Sequence, residues 1–156
     1  MLDISKVTDH LYVGSRVWID DADELKTFDF NLIISMIGQM APDKILTQPP
    51  FNTLWIKTYD TFFIPISIKK LLSGVHAALP VIQNNGKVLV FCMQGKRRSI
   101  AMAAAILISL GHTSEEAINL LTAARKMADP RRWYILSQIK AFEKYWQKSQ
   151  SLCKRK

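Results

Sequence analysis

The sequence predicts an α/β domain, a central mixed β-sheet flanked by helices. Three observations carry this expectation. Short apolar runs with strand character alternate with segments of helical spacing along the whole chain. The run Val88-Leu89-Val90-Phe91 passes through one tight turn into the apolar stretch Ser99–Leu110, which makes a βα unit. No apolar segment reaches the length of a membrane span, so these runs belong to a packed interior.

Each element has its own signal. Leu11–Val13 reads as a short strand, and Asp20–Phe28 as a short helix with acidic residues in its first turn. Leu32–Met36 reads as a strand. Gly38, Pro42 and the pair Pro49-Pro50 make residues 37–50 a loop. Thr53–Lys57 is the next strand. From Ser67 to Asn84 the positions Ile68, Leu71, Leu72, Val75, Leu79 and Ile82 follow helical spacing, with Pro80 expected to kink or break the helix. Asn84-Asn85-Gly86 turns the chain into the Val88–Phe91 strand. The helix from Ser99 to Leu110 is apolar nearly all round, which makes it a core helix, and Gly111 stops it. Thr113 with Glu116 forms a capping box for a helix through about Arg125. A last helix is expected from near Arg131 to Gln147. Its aromatic stripe, Trp133 through Trp146, reads as core. Residues 1–148 read as one domain and 149–156 as a basic polar tail with a frayed end.

Composition narrows the function classes. At 156 residues the chain is long enough for a real core, and 49% hydrophobic with 22% charged residues is ordinary for a soluble domain. No secretory leader pattern is visible at the N-terminus. Cys92 and Cys153 do not suggest a disulfide framework, so the expected setting is reducing, intracellular and cytoplasmic. His10, His76 and His112 are scattered without a metal-ligand pattern, and no cofactor is expected. The net charge of +8 favours anionic partners. Phosphoproteins, inositol phosphates, anionic lipids and RNA all qualify, with nucleic acid the less favoured. The oligomeric state is not indicated.

The chemistry is concentrated between Cys92 and Ser99. A strand ends in a cysteine, and Met93, Gln94, Gly95, Lys96 and Arg97 separate it from Arg98 and Ser99, where a helix begins. In such a turn successive backbone N–H groups of Met93 through Arg98 can point into one concavity that binds anions. The helix N-terminus adds unpaired N–H groups and a partial positive charge. Arg98 offers a fork that fits two phosphate oxygens. The same surroundings can lower a thiol pKa from about 8.5 to roughly 3.5–7.5, which makes Cys92 a nucleophile. Ser99 can donate its hydroxyl to the sulfur and help it leave. A Cys–His protease arrangement would need a histidine brought to Cys92, and none is suggested.

Cys92–Ser99 fits the C-x5-R-[ST] signature and so resembles the protein tyrosine phosphatase superfamily. Asp9–Ser15, Phe30–Met36 and Leu54–Asp60 are similar to strands of its small dual-specificity branch, and the resemblance covers about residues 2–148. It implies a dual-specificity phosphatase-like fold and a two-step hydrolysis of phosphomonoesters that needs no metal. It also implies that Asp60, 32 residues before Cys92, is the general acid. Asp43 and Asp129 do not fall at the matching place. The expected partner is a phosphorylated protein, with phosphotyrosine as substrate and phosphoserine or phosphothreonine as further candidates. Two other readings stay open. Lys96 sits where phosphoinositide phosphatases of the superfamily carry a lysine, although Met93 replaces their second one. The chain could also bind phosphorylated partners without hydrolysing them. One residue departs from the pattern, because Phe91 stands where the family has a histidine whose ring hydrogen-bonds within the loop. Phenylalanine supplies no such bond, so weaker thiol activation is expected.

Overall fold

In a computed structural model, residues 1–155 are described. Five strands form one mixed sheet: β1 Ile4–Lys6, β2 Leu11–Gly14, β3 Leu32–Ser35, β4 Thr53–Trp55 and β5 Val88–Phe91. Their order across the sheet is β1-β2-β5-β3-β4. β2, β5, β3 and β4 run parallel, and only β1 is antiparallel, to β2. Five α-helices accompany them: α1 Ala22–Lys26, α2 Ile68–Gln83, α3 Arg98–Ser109, α4 Ser114–Ala124 and α5 Trp133–Lys154. The α/β mixed-sheet expectation is met.

β5 lies in the middle of the sheet, with Phe91 opposite both Gly14 of β2 and Ser35 of β3. Its four residues are buried on both faces, which is why the run shows no polar alternation. α3 packs against β2 and β5 and against α2, α4 and α5. A helix enclosed on every side must be apolar all round, as Ile100 through Ile108 are. It ends at Gly111, whose φ of 110° is left-handed. Thr113 and Glu116 make the capping box at the start of α4.

Several expectations are corrected. Ile4–Lys6 is a strand, although Ile-Ser-Lys carries no apolar alternation; backbone pairing with β2 holds it. The helix read as Asp20–Phe28 is one 3₁₀ turn, Ile19–Asp21, followed by only Ala22–Lys26. Asp29 takes a left-handed φ of 55°, which short polar side chains tolerate, and the helical run has ended before it. A second 3₁₀ turn, Lys44–Thr47, sits inside the predicted loop. β4 stops at Trp55 because the chain must leave the sheet to bring Thr58 over β3, where its hydroxyl donates to Met36 O at 2.6 Å.

Pro80 does not break α2, which runs through it to Gln83. The proline lies in the last turns, so it removes one ladder bond to an otherwise satisfied helix. α5 continues to Lys154, through most of the segment read as a tail. Its stripe is only partly core: Ile139 and Phe142 are buried, whereas Trp133 is 64% exposed. No helix among the described residues is long and apolar enough to cross a membrane.

Candidate active site

Cys92 follows β5 at the centre of the parallel edge and is 3% exposed. Its own N–H donates to Gly14 O at 3.3 Å. The next five carbonyls are each held from outside the loop. Met93 O accepts from Arg16 N (3.2 Å), Lys96 O from Asp129 N (2.8 Å) and Arg97 O from Ala101 N (2.8 Å). Gln94 O and Gly95 O accept from the Arg125 guanidinium at 3.0 and 2.8 Å. With the carbonyls turned outward, the N–H groups of the same peptides face the other way, into the concavity. Gly95 has a φ of 64°, and a Cβ there would lie 2.5 Å from the Gly14 carbonyl carbon. No other residue fits that position without a shift.

The concavity is a cavity of about 310 Å³ lined by Gln39, Asp60, Cys92, Met93, Gln94, Lys96, Arg97 and Arg98. A larger one, about 540 Å³, lies between the end of α3 and the end of α5 and shares none of these residues. Arg98 is 3% exposed, and its Nη1 donates to Thr58 O (2.9 Å), Gln39 Oε1 (3.0 Å) and Met36 O (3.3 Å). That side of the guanidinium ties the loops after β3 and β4 together. Its Nε and Nη2 have no protein acceptor among the described residues and form the fork that an oxyanion can meet.

Cys92 Sγ and Ser99 Oγ are 3.3 Å apart. Burial pushes the Cys92 thiol up. Hydrogen bonds from the Ser99 hydroxyl, the Ser99 and Lys96 amides, and the Arg98 charge outweigh burial, so the thiol lies below its ordinary value. The thiol is therefore depressed without a histidine at position 91, where Phe91 is buried in the core.

Asp60 is at the mouth of the cavity. Tyr134 OH donates to its Oδ1 at 2.8 Å, and Arg97 Nη1 pairs with its Oδ2 at 3.1 Å. Arg97 Nε also reaches Asp129 (3.3 Å), which Arg132 holds in turn. Burial lowers the Arg97 pKa, but hydrogen bonds to Asp60 and Asp129 more than offset it and the net direction is up. Burial and then the bond to Asp60 raise the phenol of Tyr134. Asp43 lies apart, paired with Arg16.

The structure thus brings Cys92, Met93, Gln94, Lys96, Arg97, Arg98 and Asp60 to one cavity, with Ser99 buried against the Cys92 sulfur and Gly95 turning the loop. Three participants escaped the sequence reading. Arg125 braces the loop, Tyr134 holds Asp60, and Gln39 holds Arg98. Arg125 read as a helix end and Tyr134 as one position of a core helix, and neither has a local signal of its role.

No family model matches the chain. The curated relatives are tyrosine and dual-specificity phosphatases. Protein-tyrosine-phosphatase MKP1 of Arabidopsis thaliana is 28% identical over 128 residues, 81% of this chain. The chain spans about 16% of that relative's length. The structure of DUSP15 superposes with a TM-score of 0.81 at 24% identity, covering 99% of this chain and 95% of DUSP15. The fold is that of the dual-specificity phosphatases. PTPMT1 in complex with PI(5)P superposes with a TM-score of 0.83 at 21% identity, covering 94% of this chain and 98% of PTPMT1.

Proposed function

We propose that this chain hydrolyses phosphomonoesters through a cysteinyl-phosphate intermediate. The observation that carries the reading is the loop itself: five consecutive carbonyls pinned outward around a buried, acidified thiol. In the first step Cys92 Sγ bonds to phosphorus as the ester oxygen leaves, and Asp60 gives that oxygen a proton. The amides of Met93–Arg98 and the free edge of Arg98 hold the three equatorial oxygens, where the charge is spread. In the second step water bonds to phosphorus, its proton passes to Asp60, and the Ser99 hydroxyl donates to the departing sulfur. No residue of this scheme needs a bound metal.

The leading substrate is a phosphotyrosyl protein, with phosphoserine and phosphothreonine as further candidates. A second reading, a phosphoinositide substrate, is favoured by Lys96 on the cavity wall and by the likeness to a structure that holds PI(5)P. Hydrolysis of p-nitrophenyl phosphate between pH 5 and 7 tests the chemistry. The wild type should turn it over, and Cys92→Ser should lose turnover by at least about 1,000-fold while still binding phosphate. Residual activity near wild type in that variant refutes the assignment. Phosphate binding by a wild type without turnover would point to a phospho-binding protein instead.

A further inference from the structure

The four parallel strands end on one edge of the sheet, so the segments that follow β2, β3, β4 and β5 leave from the same face as Cys92. That face carries a group of large exposed apolar side chains. Phe62, Phe63 and Ile64 follow Asp60 and are 50%, 79% and 50% exposed. Trp133 is 64% exposed, and Met93 and Met40 add to the rim. The rings form a connected ledge: the Phe62 ring centroid lies 4.0 Å from that of Phe63, tilted by 33°, and 5.6 Å from that of Trp133. Trp133 is 5.6 Å from Tyr134, whose hydroxyl holds Asp60 at the cavity. Contiguous exposed apolar surface of this kind marks an interaction site.

The charges around the ledge indicate its partner. Asp60, Asp129 and Asp43 are each paired with an arginine, so little negative charge is left uncompensated at this rim. Lys57 before the aromatic loop, and Lys69 and Lys70 after it, line one concavity of about 380 Å³ with Trp55. Lys126 is exposed next to Met127, beyond the far side of the phosphate loop. A projecting loop of Phe-Phe-Ile, with a tryptophan beside it and lysines at both ends, has the composition of a membrane-surface anchor. Peptide recognition would seat a ligand in a groove or on a sheet edge, and a side chain as exposed as Phe63 lines neither.

We infer that the rim of the phosphate cavity docks on an anionic lipid bilayer. Phe62, Phe63, Ile64 and Trp133 enter the boundary of headgroups and acyl chains, and Lys57 and Lys69 meet the anionic headgroups. The inference builds on the proposed phosphatase chemistry and, of the two substrate readings above, favours the second: a phosphomonoester carried on a lipid headgroup, presented to Cys92 while the rim rests on the surface.

The test is sedimentation of the purified chain with phosphatidylcholine vesicles, with and without about 30% phosphatidylserine. The protein should partition onto the anionic vesicles and not onto the neutral ones. Phe63→Asp should cut partitioning by at least about tenfold, and Lys69→Ala by about fivefold. Both should keep p-nitrophenyl phosphate turnover within about twofold, because neither side chain lines the cavity. Equal partitioning of the wild type and both variants, or none onto anionic vesicles, overturns the inference. So does a loss of phosphotyrosyl-peptide hydrolysis in Phe63→Asp without any vesicle binding by the wild type, which assigns the ledge to a protein. The outcomes separate from those of the chemistry. Sedimentation is read without turnover, and turnover of the soluble ester is read without vesicles.

Discussion

Two opposing influences meet at the sulfur of Cys92. Burial disfavours the thiolate, and the Ser99 hydroxyl, the loop amides and Arg98 favour it more. The site therefore reaches a depressed thiol with Phe91 in the place of a hydrogen-bonding ring. The absent bond still has a cost, and a substitution can measure it. Phe91→His, made in a Cys153→Ser background because Cys153 is exposed, should move the midpoint of iodoacetate alkylation to lower pH. A more acidic thiol is more fully ionised at each pH, so its alkylation rises earlier on the pH scale. An unchanged or higher midpoint would mean that the loop amides and Ser99 already supply all the activation that the site accepts. Cys92, Arg98 and Ser99 stand out in the sequence because they fall within one run of eight residues, which needs no distant partner to suggest an anion site. Asp60 was readable only through its distance from the cysteine.

At the scale of the elements, the phosphate loop is held by side chains that no local pattern announces. Arg125, just past α4, donates to two carbonyls of the loop and pairs with Asp3 before β1, which closes a brace across the molecule. It is 4% exposed, so its truncation removes a buried charged donor from two loop carbonyls at once. Arg125→Ala should lower stability by about 2–4 kcal/mol, a fall in Tm of roughly 5–12 °C by calorimetry, and weaken phosphate binding as well. A Tm within about 1 °C of wild type would show that the loop stands without the brace.

The loop that carries Asp60 depends on α5 in a similar way. Tyr134→Phe removes one donor from Asp60 and should reduce kcat about fivefold with KM little changed. Its effect should vanish in an Asp60→Asn background, which a purely structural role would not produce. These dependences were hidden because residues 74 positions apart meet only after α5 has docked. Trp133 was misread for the same reason: helical spacing puts it on the apolar stripe, but in the first turn of α5 it is Ile135 that is buried, while Trp133 is 64% exposed.

For the whole molecule, the alternation of strands and helices was enough to predict the α/β architecture, since buried parallel strands and an enclosed helix both leave continuous apolar runs. What escaped was set by tertiary contact: β1 by pairing with β2, and the shortness of α1 by the left-handed turn at Asp29. The last two turns of α5 add helix without adding core, because the side chains of residues 150–155 are exposed. We propose that residues 1–148 form the complete folding unit. Removal of 149–156 should leave Tm within about 2 °C and soluble-substrate turnover unchanged; a loss of more than about 5 °C would make the C-terminal turns part of the core.

The central position of β5 has a consequence for how the site comes apart. The nucleophile follows the strand with neighbours on both sides and α3 beneath it, whereas Asp60 rides on a loop beyond the edge strand β4. Local opening begins where backbone is least covered, and amide protons in the middle of a sheet exchange last. As the temperature rises, the acid loop should open while the strand and helix under the cysteine stay closed. Over that interval the protein would still grip an oxyanion but no longer turn it over, so catalytic loss should precede the loss of binding during thermal inactivation.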